Sequence, residues 1–166
     1  MRKLTALMAT GLILGASGQA MAINGDASAS IINPISVAQT RPLAFGRIVT
    51  TVPGGVVVLS AAAATITTGS TAGLINGTSY ASGEFTVTGE SNTGYAITSA
   101  TTTSLTGPGT AMAATLTKDK AAGTTATTAL YSTATDLFYV GGTLTVPANQ
   151  IAGLYSGTYA VSVDYN

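Results

Sequence analysis

The chain contains no cysteine, no histidine and no tryptophan. Without cysteine there is no disulfide, no thiol nucleophile and no thiolate metal ligand; without histidine the commonest general base is missing as well. An exported small domain often uses disulfides, so this chain must be held by its core and its strand ladders alone. Charge is scarce too, at 7% of the residues against roughly a quarter in an ordinary globular chain. From residue 23 onward four basic residues (Arg41, Arg47, Lys118, Lys120) face six acids, a net charge of −2. No basic patch is available to neutralise phosphates, which argues against a nucleic-acid partner. The six acids (Asp26, Glu84, Glu90, Asp119, Asp136 and Asp164) are scattered and read as solvated turn, terminal or polar-face positions. Lys118-Asp119-Lys120 reads as a solvated turn. Neither a catalytic residue nor a cofactor or metal site is expected; an enzyme is the weakest of the functional readings.

What is present begins with an export signal. Met1, Arg2 and Lys3 carry positive charge, residues 4–17 are mostly apolar, and Ala20-Met21-Ala22 is a small-x-small cleavage signature. That order describes a secretory signal peptide over residues 1–22. The apolar run falls short of the about 20 residues a membrane span requires, and no second run of spanning length follows. The exported chain is expected to start at Ile23, to carry no membrane span after processing, and to pass through the periplasm to the cell surface or beyond.

The rest of the chain has the period of strands. Phe85 and Val87 alternate with Glu84, Thr86 and Thr88; Tyr95 and Ile97 follow a turn at residues 90–94; Leu144 and Val146 follow Gly141-Gly142. Leu43 pairs with Phe45 on one face, and residues 56–59 are apolar on both. Tyr159, Val161, Val163 and Tyr165 share a face opposite Thr158, Ala160, Ser162 and Asp164. Branched and aromatic residues pack well on a pleated surface, and no stretch shows a helical face. Ala61 to Ala64 offers one helical turn at most. Thr-rich stretches recur at no fixed period, which excludes a solenoid. Asn76-Gly77 is a hairpin signal that also matches a glycosylation sequon, and Gly107-Pro108-Gly109 is a turn. Residues 121–125 look most like a linker yet fall inside the domain. Short strands with frequent turns point to an all-β, immunoglobulin-like β-sandwich over residues 34–166, with a barrel as the alternative.

Residues 23–33 form an N-terminal extension with its own alternation. Ile23, Gly25, Ala27, Ala29 and Ile31 fall on one face; Asn24, Asp26, Ser28 and Ser30 fall on the other, and Pro34 ends the run. Such a segment can add as a strand to the sheet of another subunit or complete its own. Both options remain open on the residues alone.

Three ordered blocks carry a family likeness. They are Pro34-Ile35-Ser36-Val37 leading into Leu43-Ala44-Phe45-Gly46-Arg47-Ile48, Gly83-Glu84-Phe85-Thr86-Val87-Thr88-Gly89 leading into Gly94-Tyr95-Ala96-Ile97-Thr98, and residues 140–147 leading into residues 153–165. These resemble the bacterial family known as domain of unknown function 4402 (DUF4402), and look like the spore coat protein U and fimbrial subunit domains. The resemblance implies a secreted β-sandwich and, as several relatives assemble by chaperone–usher secretion, a subunit of a fimbria-like polymer. It implies partners in other copies of the chain, a periplasmic chaperone and an outer-membrane usher. Gly153, fourteenth from the end, and the strand carrying Tyr159, Val161, Val163 and Tyr165 resemble the terminal motif by which chaperones hold fimbrial subunits. Gly25 would match the small residue of the fourth pocket if Ile31 fills the first. The alternative function is a monomeric secreted adhesin or carbohydrate-binding module, for which Tyr80, Tyr131 and Tyr139 are the candidate contacts.

Overall fold

A computed structural model describes residues 21–49, 54–61, 66–69, 73–74, 79–120, 128–129 and 135–166. Most of the signal-peptide reading, the Asn76 hairpin, Tyr131, the linker-like residues 121–125 and most of the Ala61 to Ala64 turn lie outside the described residues. The chain divides at Ile31, with one unit ending there and the other running from Ile32 to Asn166. In the first unit, residues 21–31 contain no strand, and Ile23 and Ile31 are 94% and 98% exposed.

The second unit is all-β and antiparallel throughout. In chain order its strands are β1 (Ser36–Arg41), β2 (Ala44–Phe45), β3 (Ile48–Val49), β4 (Gly55–Leu59), β5 (Ile66–Gly69), β6 (Gly73–Leu74) and β7 (Tyr80–Ala81). They continue with β8 (Gly83–Thr88), β9 (Gly94–Ser99), β10 (Thr102–Leu105), β11 (Met112–Lys118), β12 (Thr128–Ala129), β13 (Thr135–Val146) and β14 (Val161–Tyr165). The main sheet has the order β1-β8-β13-β11-β10, with β4 and β5 added on β13. A second sheet has the order β12-β9-β14. Two small ladders, β2 with β7 and β3 with β6, complete the described pairing.

Strand β13 organises the main sheet. Residues 135–140 pair with β8, residues 142–146 pair with β4, and residues 140–144 pair with β11. The sequence reads Gly141-Gly142 as punctuation before a strand; the structure runs β13 straight through it. A Cβ on Gly141 would strike the Leu59 carbonyl oxygen and lie 2.5 Å from the Ala61 amide nitrogen, and one on Gly142 would strike the Thr115 carbonyl oxygen. The two glycines are there because backbone passes close on both sides, not because the chain turns.

The two sheets join at residues 100–101, where β9 in the second sheet passes into β10 in the first. The amide of Ala100 still bonds the Ala160 carbonyl, while the carbonyl of Thr101 already accepts from the Leu116 amide. The inward faces form one core. Val57, Leu59, Phe85, Val87, Phe138, Val140 and Leu144 come from the main sheet; Tyr95, Ile97 and Val163 come from the second. Phe85 stacks on Phe138 with centroids 5.1 Å apart and meets Tyr159 edge-on at 6.1 Å. The alternation expected from the residues holds: Val57 and Leu59 are buried while Val58 is exposed, and Val163 is buried between exposed Ser162 and Asp164.

Candidate functional site: an apolar groove and a buried polar cluster

The second unit carries a groove of about 680 Å³. One wall is the segment 43–48, whose bend is made at Gly46 with φ of +80°. The other is the irregular segment 150–157 between β13 and β14. The floor is core: Leu105, Met112, Leu144 and Val146 reach it from β10, β11 and β13. The wall segment 150–157 is fixed from below. The Tyr155 hydroxyl donates to the Ile151 carbonyl at 2.8 Å and accepts from the Gly109 amide at 2.8 Å. Ser156 exchanges both backbone hydrogen bonds with Thr106, and the Gln150 side-chain amide donates to the Thr110 carbonyl. The wall segment 150–157 exposes apolar side chains. Leu154 is 85% exposed and Ile151 56%.

Of the residues expected to form a groove strand, Gly153 and Tyr159 line this groove. Val161, Val163 and Tyr165 lie outside its lining, along β14, which has β9 as its partner and, among the described residues, a second edge outside the ladders. The Tyr159 hydroxyl is enclosed without a well-formed hydrogen bond. Burial raises its pKa above the ordinary phenol value, and Gln39 opposes this only in part. The candidate strand residues Ile23, Gly25, Ala27, Ala29 and Ile31 are all exposed, and none is in a ladder.

The far end of β14 carries a different device. The Tyr165 hydroxyl donates to the Asn33 carbonyl at 2.8 Å and accepts from the Glu90 amide at 2.5 Å. Asn33 in turn donates its backbone and side-chain N–H groups to Glu90 Oε2 at 3.1 and 2.7 Å. Residue 33 is thus clamped where β1 begins.

A buried polar cluster corrects the reading of the acids. Asp136 lies in β13, 9% exposed, not on a solvated face. Its Oδ2 accepts from the Tyr95 hydroxyl at 2.7 Å and from Lys120 Nζ at 2.5 Å, and its Oδ1 accepts from the Leu137 amide. Burial alone would raise the Asp136 carboxyl, but the bonds from Lys120, Tyr95 and Leu137, with the Lys120 charge, hold it below the ordinary carboxylate value. The Tyr95 phenol is pushed well up by burial and by the carboxylate beside it. The Lys118-Asp119-Lys120 run is likewise not a free turn: Lys118 ends β11, Lys118 Nζ donates to the Ile97 carbonyl and Asp119 accepts from the Tyr139 amide. Burial lowers the Lys118 ammonium. A charge network of this kind ties β9, β13 and the 118–120 segment together. Among the described residues no group of three or more acids could hold a metal ion, and no helix is long and apolar enough to cross a membrane.

Of the tyrosines considered for a sugar platform, Tyr139 lies beneath the Arg41 guanidinium, 5.9 Å from its ring centre, and Tyr80 is 38% exposed in β7. The Arg41 guanidinium also bonds the Ser82 carbonyl and pairs with Glu84.

The described strands define an all-β antiparallel domain with a groove beside its core. The chain belongs to the family described as domain of unknown function (DUF4402), whose model matches residues 35–165. No curated protein and no solved structure matches it.

Proposed function

We propose that this protein is a secreted structural subunit of a fimbria-like surface polymer, non-enzymatic, in which residues 23–31 of one copy add as a strand to the next. The observation that carries this reading is the extension itself. It alternates apolar and polar residues, it carries no ladder, and Ile23 and Ile31 are almost fully exposed. Burying Ile23 and Ile31 in a neighbour would contribute about 1.5–3 kcal/mol each, with backbone ladder bonds adding about 0.5–1.5 kcal/mol apiece, against the cost of association. The low charge of the chain supports the same reading, since a subunit covered by neighbours needs few solvating charges. Until a neighbour arrives, the exposed apolar segments and the second edge of β14 are hazards of the kind that call for temporary cover. A periplasmic chaperone would supply that cover, and an outer-membrane usher the route to the surface.

The test is deletion of residues 23–31, followed by negative-stain electron microscopy of material sheared from producing cells. Wild-type protein should give fibres and the deletion none, with the deleted protein still folded. Fibres from the deleted protein would show that the extension is not the link. A stable, soluble wild-type monomer would favour the monomeric adhesin or binding-module reading instead.

A further inference from the structure

We infer that the groove between residues 43–48 and 150–157 is the acceptor for residues 23–31 of a second copy, held in register by Asp26 against Arg47. This rests on the strand-donation reading and adds where the strand goes and which way the chain of subunits runs. Three observations carry it. The first is fit. Residues 25–31 span about 23 Å when extended, and their seven residues lie between the six of segment 43–48 and the eight of segment 150–157 that line the groove. Their inward face would present Ile31, Ala29, Ala27 and Gly25 to the apolar floor at Leu105, Met112, Leu144 and Val146. Small side chains in the middle of that face allow the backbone to come close to both walls.

The second is charge. Arg47 is the one charged residue lining the groove, and it is exposed at the rim. Among the described residues Arg41 pairs with Glu84, Lys120 with Asp136, and Lys118 caps the Ile97 carbonyl. Arg47 makes no ion pair there. Asp26, the only charge in the extension, makes none either. An exposed pair adds little affinity, but a lone cation facing a lone anion selects one register over its neighbours.

The third is polarity. The chain enters the domain at Asn33, clamped by Tyr165 and Glu90. The groove wall starts at Leu43, after the six residues of β1, which alone span about 20 Å. Within the domain, the entry point at Asn33 and the groove wall at Leu43 therefore sit at opposite ends of β1. An interface between unlike ends is heterologous, and when it does not close into a ring it propagates as an open filament. A two-fold dimer exchanging both extensions would need each exit beside its partner's groove.

The chain's lack of cysteine makes cross-linking clean. Asp26→Cys with Arg47→Cys should give, on oxidation of assembled protein, a ladder of multimers on denaturing gels that collapses on reduction. Asp26→Cys with Ser162→Cys, which tests the second edge of β14, should give none. All three positions are exposed, so folding should be unaffected, and circular dichroism of the reduced protein checks this. In a second measurement, a synthetic peptide of residues 23–31 should bind protein lacking those residues, and an Asp26→Lys peptide should bind about two- to fivefold more weakly at low salt. Fibres with the 26–162 ladder in place of the 26–47 ladder would overturn the groove assignment and leave strand donation standing. A 26–47 disulfide within monomers would mean that the extension fills its own groove. Wild-type protein that forms no fibres would overturn both readings.

Discussion

Removing the carboxylate of Asp136 tests the buried cluster most directly. Asp136→Ala leaves the Tyr95 hydroxyl, on a residue with no exposed surface, without its acceptor, and leaves Lys120 without its counter-ion. An unpartnered buried hydroxyl costs about 1–3 kcal/mol. Breaking a fully buried ion pair costs about 3–5 kcal/mol, but the Lys120 side chain is 25% exposed and can turn to water, so the lower end applies. The expected loss is about 3 kcal/mol, measured by urea unfolding of protein lacking residues 23–31 so that assembly does not interfere. Tyr95→Phe should cost only about 1–2 kcal/mol, because Asp136 keeps Lys120 and the Leu137 amide. The double variant should fall short of the sum, since both changes remove one shared bond. The pH dependence has a defined sign. The folded Asp136 carboxyl titrates below its unfolded value of about 3.9, so its contribution is complete above that value and is lost as pH falls through the folded pKa. Wild type should therefore lose stability on acidification more steeply than Asp136→Ala. Parallel acid-unfolding curves, or a loss under about 0.5 kcal/mol for Asp136→Ala, would refute the cluster as a stabilising element.

Other outcomes follow from the packing. Gly141→Ala should destabilise the domain by more than about 2 kcal/mol, because the new methyl meets backbone at Leu59 and Ala61 rather than a movable side chain; an unchanged urea midpoint would contradict the close approach. Phe138→Ala should cost about 3–5 kcal/mol, since Phe138 is fully buried and stacked on Phe85, again read by urea unfolding. Tyr165→Phe should release the clamp on Asn33 while leaving the core intact, visible as faster amide hydrogen exchange at Asn33 and Glu90 with little change in the β13 amides.

Much of the fold is legible because period-2 alternation is a local signal. Tyr159, Val161, Val163 and Tyr165 declare their shared face from the residues alone, and Val163 is buried as that face requires. Phe85 and Val87, or Tyr95 and Ile97, do the same. What stays hidden is long-range. Nothing in Thr135-Asp136-Leu137 marks the carboxylate as buried, since its partners Tyr95 and Lys120 are far off in sequence and the local pattern resembles any polar strand end. Gly141-Gly142 has the composition of a turn, and only the backbone at Leu59 and Thr115 explains why it is strand. The groove is hidden for the same reason. Residues 150–157 have no periodicity, and their role as a wall depends on Tyr155 and Gln150 reaching back to the loop between β10 and β11.

Strand β13 also sets the order of events in folding. Its partners β4, β8 and β11 all precede it in the chain, and the Leu59 to Gly142 pairing closes one of the longest loops in the domain. Until residues 135–146 are available, β1 with β8, β4 with β5 and β10 with β11 are pairs that no strand joins into the main sheet, although β2 with β7 and β3 with β6 nest between the first two. Closing such loops carries an entropic cost that local contacts cannot offset early, so folding of this topology is slow. During that interval the apolar faces of all three pairs are open to other chains. A chain stopped before residue 135 has most of the strands of the main sheet and no sheet.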